Sequence, residues 1–281
     1  MMKKILAFVL AIAMVFSLAG CKKNITEEEI TDQNFQKIEE NGVMKVGIVA
    51  SKEPPMAFVD ENYNIVGFDM DLAKKIGEYI NENKADGKDI KIQFEAIKSS
   101  DRQSAVENGA VDILVDGCVY AENENFLYSD GYIKNRMVAV ADKKYKSMGE
   151  LKNLKVAVMG KESITEKLKA AGVEDISSYN DIDEMFKLLE EKQADVLVMS
   201  ELAYLYYINS VYGKDSQEAK EIFASDVGFE NEIYAIAAKK DAKSVIAKVN
   251  EALKALKENG SINELSDKWF ASGDCLNLQE N

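Results

Sequence analysis

The chain has 281 residues, with 35 Lys and Arg against 49 Asp and Glu, no histidine, three cysteines and two prolines. Without histidine there is no Ser-His-Asp or Cys-His nucleophile system and no imidazole metal ligand. A net charge of −14 argues against nucleic acid, whose phosphates need a basic face, and a 47% hydrophobic content fits a globular chain with one large core or two smaller ones.

Residues 1–21 (MMKKILAFVLAIAMVFSLAGC) run from two lysines through an uncharged apolar stretch to small residues, the three-part layout of a secretory signal. The stretch is short for a membrane span, and no polar face interrupts it as in a buried helix. Its end, Leu18-Ala19-Gly20-Cys21, resembles the bacterial lipobox, in which the cysteine becomes the lipidated first residue. Residues 1–20 are therefore expected to be a lipoprotein signal peptide and 21–41, polar and acid-rich, a tether with room for a short helix. Cys118 and Cys275 lie far apart in sequence, and free buried thiols are favoured over a bridge.

Beyond residue 41 the chain echoes itself. KVGIVASKE (45–53) resembles KVAVMGKES (155–163), and ENGAVDILV (107–115) resembles EEKQADVLV (190–198), each with an Asp, Asp112 or Asp195, ahead of an apolar strand. Between these, Asp69 and Asp71 open a helix with Leu72, Ile76, Tyr79 and Ile80 on one face, and Ile90–Ile97 reads as a strand. Ser163 to Glu166 and Asp181 to Glu184 have capping-box spacing. Strands alternating with helices imply parallel sheets, with ligands at their carboxyl ends. Met137–Ala141 and Tyr234–Ala238 read as strands entering and leaving the second unit, and two crossings make a hinge. The expected architecture is α/β with two lobes: 42–135 plus 235–281 as lobe 1 and 136–234 as lobe 2.

Several segments carry a family resemblance: 46–76, with Gly67-Phe68-Asp69-Met70-Asp71-Leu72-Ala73 inside it, ENGAVDILVDG (107–117), YSDGYI (128–133), LKVAVMGKESITEKL (154–168), ADVLVMSELAYLYYI (194–208) and GSINELSDKWF (260–270). Together the chain resembles the extracytoplasmic solute-binding proteins of family 3, the amino-acid branch serving ABC importers. The resemblance implies a periplasmic-binding-protein-like fold of type II, a small solute held between the lobes without a cofactor, an ABC permease as partner, and a monomer anchored through Cys21 on the extracytoplasmic face of the cell membrane.

It also marks where this chain departs. Relatives place a stacking aromatic before the paired prolines, where Glu53 stands here, and Phe58 is either an apolar ligand wall or a core residue. Relatives grip the ligand carboxylate with a Thr-x-x-Arg, whereas Gly117 to Asn125, with Cys118, Val119, Tyr120, Glu122 and Glu124, carries no arginine. In the second lobe Lys161, Glu162, Ser163 and Ile164 replace the usual Gly-Ser/Thr-Thr, and Ser163 either donates to ligand or caps its helix. The acid that relatives use for the ligand ammonium aligns with Ser200, with Glu201 next to it. Arg102, after Ser99-Ser100-Asp101, either faces a ligand carboxylate or staples its own loop, and Arg136, the other arginine, is expected in a hinge ion pair. Cleft acids among Glu53, Glu122, Glu124, Glu162 and Glu201 would favour a cationic solute. Two alternatives stay open: a cyclohexadienyl dehydratase-like enzyme, which needs a carboxyl general acid, and a sensing lipoprotein without transport.

Overall fold

The computed structural model describes residues 31–281 apart from 51–53, 86, 118, 120–124, 161, 277 and 279–281. The expected signal peptide, Cys21 and most of the tether lie outside the described residues, as do Glu53, Cys118, Tyr120, Glu122, Glu124 and Lys161.

The first unit opens with α1 (Asn34–Asn41). Phe35 and Ile38 bury in the main core, so the folded unit begins inside the span expected as tether. Asp32 fixes this entry, accepting from the backbone N–H of Asn34 at 3.0 Å and of Ser244 at 2.9 Å. Then come β1 (Val43–Ile48), the hairpin β2 (Phe58–Val59) and β3 (Ile65–Val66), and α2 (Phe68–Glu82). Leu72, Ile76 and Ile80 of α2 are buried as their spacing predicts. At about 1.5–3 kcal/mol for each fully buried large aliphatic side chain, that stripe is what holds the helix on the sheet. β4 (Lys91–Ala96), α3 (Arg102–Glu107), β5 (Ile113–Leu114) and β6 (Phe126–Asn135) follow.

One residue later the chain enters a second sheet as β7 (Met137–Ala141). This unit continues with β8 (Val156–Met159), α4 (Glu162–Ala170), β9 (Ile176–Tyr179), α5 (Ile182–Glu190), β10 (Val196–Ser200) and α6 (Glu201–Tyr206). A π-helical turn over Tyr207–Gly213, α7 (Gln217–Glu221) and β11 (Phe223–Ser225) complete it. The chain returns as β12 (Glu232–Lys239) and ends in α8 (Lys243–Glu258) and α9 (Ser261–Phe270), both on the first unit. The return crossing thus falls at 226–231, slightly before the 234/235 boundary expected from sequence.

The strand orders are β4-β1-β5-β12-β6 and β11-β7-β10-β8-β9. β1 pairs in parallel with β4 and β5, and β8 with β9 and β10. β12 and β7 run antiparallel to their neighbours, so both sheets are mixed rather than purely parallel. The reason is connectivity: a strand arriving from the other lobe enters against the direction of the α/β units.

The internal echo is physical. The Asp112 carboxylate accepts from Lys45 N–H at 2.7 Å, and the Asp195 carboxylate accepts from Lys155 N–H at 2.8 Å, so each acid ties its strand to the one beside it. Asp181 caps α5, accepting from the N–H of Asp183 and Glu184. The expected box at Ser163 is corrected: α4 already begins at Glu162, which puts Ser163 inside the first turn.

Candidate functional site

In open α/β sheets ligands gather where the parallel strands end. Here those ends are Ile48, Ala96 and Leu114 in the first sheet and Met159, Tyr179 and Ser200 in the second.

The loop after β1 is pinned to α2. Phe68 N–H donates to Pro55 O at 2.8 Å and Asp69 N–H to Met56 O at 2.9 Å. This close approach requires glycine at position 67, whose φ is 142° and whose added Cβ would stand 2.1 Å from Met56 O. Asp69 is fully buried and accepts from the Tyr132 hydroxyl at 2.8 Å. Burial pushes its carboxyl up to about 7, against the pull of that hydroxyl and with a further push from Asp116.

After β4, Arg102 donates through Nε to Asp116 Oδ2 at 2.6 Å and through Nη1 to Ser99 Oγ at 2.9 Å. The arginine staples its loop to the end of β5. The Asp116 side chain is wholly buried while Arg102 remains 33% exposed. Three residues on, Val119 is 39% exposed and bridges in antiparallel fashion to Tyr234 of β12.

The two sheets meet at Asn135, the last residue of β6, which is buried. Its amide donates to the Tyr234 hydroxyl at 2.8 Å, and its Oδ1 accepts from Ser200 Oγ at 3.0 Å and from Leu202 N–H at 3.4 Å. Ser200 also caps α6, accepting from Ala203 N–H. Arg136 meets the hinge ion pair expected of it, with Nε and Nη2 on the two oxygens of Glu201 and Nη1 on Asp226 at 2.7 Å. Glu201 raises the guanidinium pKa further above its ordinary value. The Glu201 carboxylate therefore serves the crossing.

Helix α6 is a shared wall. Leu202 packs into the first core, while Ala203 packs into a core of the second sheet. Its Tyr206 ring stacks on Trp269 of α9, and Phe58 lies edge-on to both, with centroids 5.6 and 6.0 Å away. Phe58 is thus held in an aromatic cluster contributed by both units.

Of the expected site residues, Ser99 and Arg102 come together at one strand end, and Ser200 and Glu201 at the crossing. The Ile164 side chain is buried with Leu168 and Val196 in a core of the second sheet, because its helix position faces inward. Ser163 stays exposed at the start of α4. Asp116, Asn135 and Tyr234 were not singled out from sequence. Asp116 stands in the quoted DILVDG segment at the end of a strand, which is the one signal that points to it.

What this edge offers a solute is hydrogen bonding and balanced charge, each arginine being matched by acids of the chain itself. Among the described residues no group of three acid, cysteine or histidine side chains could hold a metal ion. Among the described residues, surface hollows also lie elsewhere. One of about 590 Å³ lies by Lys45 and Asp112 at the opposite edge of the first sheet, and one of about 450 Å³ lies between residues 209–216 and α9.

Two α/β lobes joined by two strand crossings, with strand ends and a shared helix at the junction, define the two-lobe type II binding fold. The model of the bacterial extracellular solute-binding proteins, family 3, matches residues 44–272, and the chain belongs to that family. The ABC transporter glutamine-binding protein GlnH of Bacillus subtilis is 28% identical over 283 residues, covering 96% of this chain and 98% of that protein. The solved structure of an ancestral arginine-binding protein bound to arginine is 27% identical, with 82% of this chain and 98% of that one covered and a TM-score of 0.61. The open, unliganded L-cystine solute receptor of Neisseria gonorrhoeae shares the fold at 21% identity, with a TM-score of 0.68 over 89% of this chain and all of that one. Among the described residues no helix is long and apolar enough to cross a membrane.

Proposed function

We propose that this protein is the membrane-anchored, extracytoplasmic receptor of an ABC importer and captures an amino acid or a related small nitrogenous solute between its lobes. The observation that carries this reading is the double crossing, at Arg136 and at 226–231, with Asn135 bonded to both units. Bending there changes the distance between the two sets of strand ends, and a solute that contacts both sets only when they are close drives closure by that differential contact. The closed form is the one presented to the permease. The moving units are lobe 1, α1 to Asn135 with the return from Glu232 onward, and lobe 2, Arg136 to Ser225, close to the 42–135 plus 235–281 and 136–234 expected from sequence. The chain works as a monomer, and lipid on Cys21 anchors it. The relatives named for glutamine, arginine and cystine support a neutral or cationic amino acid.

The chain acts by binding rather than by chemistry. A dehydratase needs a proton donor that reaches its substrate, and Asp69, the carboxyl whose pKa is pushed to about 7, is sealed in the core. A thermal-shift screen of amino acids, amines and short peptides tests the reading, since a ligand of the native state must raise Tm. At least one amino acid is expected to do so. No shift across the panel, or turnover of prephenate, overturns it.

A further inference from the structure

We propose that Asp116 is a specificity-determining residue: its ion pair with Arg102 makes the cleft accept neutral or cationic amino acids and refuse those with a carboxylate side chain. The inference rests on the amino-acid reading above and narrows it. Arg102 stands at the carboxyl end of the first sheet, 33% exposed, where its guanidinium could fork a ligand carboxylate. Instead its Nε is held 2.6 Å from Asp116 and its Nη1 2.9 Å from Ser99. Asp116 is wholly buried, so water screens its charge poorly. A second carboxylate brought to this guanidinium meets that negative charge at close range and finds Nε and Nη1 already engaged. The α-carboxylate common to all amino acids cancels in this comparison; the side-chain carboxylate does not. The chain's other arginine is engaged by Glu201 and Asp226. Neither arginine of this acid-rich chain is thus presented without a carboxylate already on it.

Titration calorimetry on the full chain tests this with three proteins: the wild type, Asp116→Asn and Arg102→Gln. Each is titrated with the twenty amino acids and L-cystine. In the wild type, L-glutamate and L-aspartate are expected to bind at least tenfold more weakly than the tightest neutral or cationic ligand. Asp116→Asn releases Arg102 from its counter-charge, and the ratio moves at least tenfold towards the acidic ligands. Arg102→Gln leaves the Asp116 charge in place and moves preference towards L-arginine or L-lysine, so the proposal stays testable if one variant fails to fold. An acidic amino acid as the tightest wild-type ligand overturns it, as do ratios that move less than twofold in the folded variants while an amino acid still binds. No binding of any amino acid to any of the three overturns the amino-acid reading, and the proposal with it.

Discussion

Arg136 grips Glu201 through two hydrogen bonds, Nε to Oε2 at 2.9 Å and Nη2 to Oε1 at 3.0 Å. The backbone repeats the tie, since Glu201 N–H donates to Arg136 O at 2.8 Å. The residue at the first crossing is therefore locked to the first turn of α6, and its third nitrogen reaches Asp226 at the start of the return crossing. One side chain thus fixes the roots of both crossing segments on the second unit.

Replacing that side chain is expected to loosen the root. Arg136→Met loses a bidentate pair that is about two-thirds buried, together with the bond to Asp226. Stability should fall by about 1–2 kcal/mol, read as a lower urea midpoint. A midpoint equal to wild type would show that the clamp holds nothing.

Asn135 should matter more, because it is buried and satisfies partners on both units. Asn135→Ala leaves the Tyr234 hydroxyl and Leu202 N–H without this partner and opens a small void, at a cost of about 2–4 kcal/mol. Equilibrium unfolding measures the loss, and a change below about 0.5 kcal/mol would contradict the joint described here.

Asp69 gives a pH dependence of unusual sign. Its carboxyl rises from 3.8 to about 7 on folding, so between these values the native state holds the proton that the unfolded chain releases. The contribution of this group is neutral below pH 4, grows steadily more destabilising as pH rises from 4 towards 7, and is constant above that. Asp69→Asn keeps an acceptor for Tyr132 and removes the titration. Relative to wild type, the variant should gain roughly 2–4 kcal/mol between pH 4 and pH 8 in urea titrations. An unchanged difference at the two pH values would show that Asp69 does not titrate in this window.

Gly67 should tolerate no side chain. Gly67→Ala drives a Cβ into Met56 O and displaces the loop after β1, at a cost above about 2 kcal/mol. Gly149→Ala meets nothing nearer than Ser147 Oγ at 3.7 Å, and should change stability by less than about 0.5 kcal/mol. Tm of the two variants decides the comparison.

Cys21→Ser removes the acceptor of the proposed lipid. The protein should move from the membrane fraction to the medium or wash, as followed by immunoblot. Retention in the membrane fraction would sink the anchor.

The legible parts of the fold were those in which a local pattern carries its own physics. Asp112 and Asp195 could be picked out because each precedes an apolar strand in a repeated phrase, and both make the same backbone tie. The α2 stripe and the Asp181 cap were legible for the same reason, as one is a period and the other a spacing. Ser163 has the same spacing, but its helix starts two residues too early for the cap to form. Asn135 carried no signal, since one asparagine at a strand end becomes a joint only when two distant strands and a helix converge on it. The two possible roles of Arg102 were visible from sequence, and it took Asp116, 14 positions away, to favour the staple.

Closure on a solute is the central claim, and small-angle X-ray scattering tests it most directly. With the amino acid that raises Tm at saturation, the radius of gyration should contract and the long-distance end of the pair-distance distribution should shorten. A profile that stays unchanged with every amino acid at saturating concentration would contradict the account.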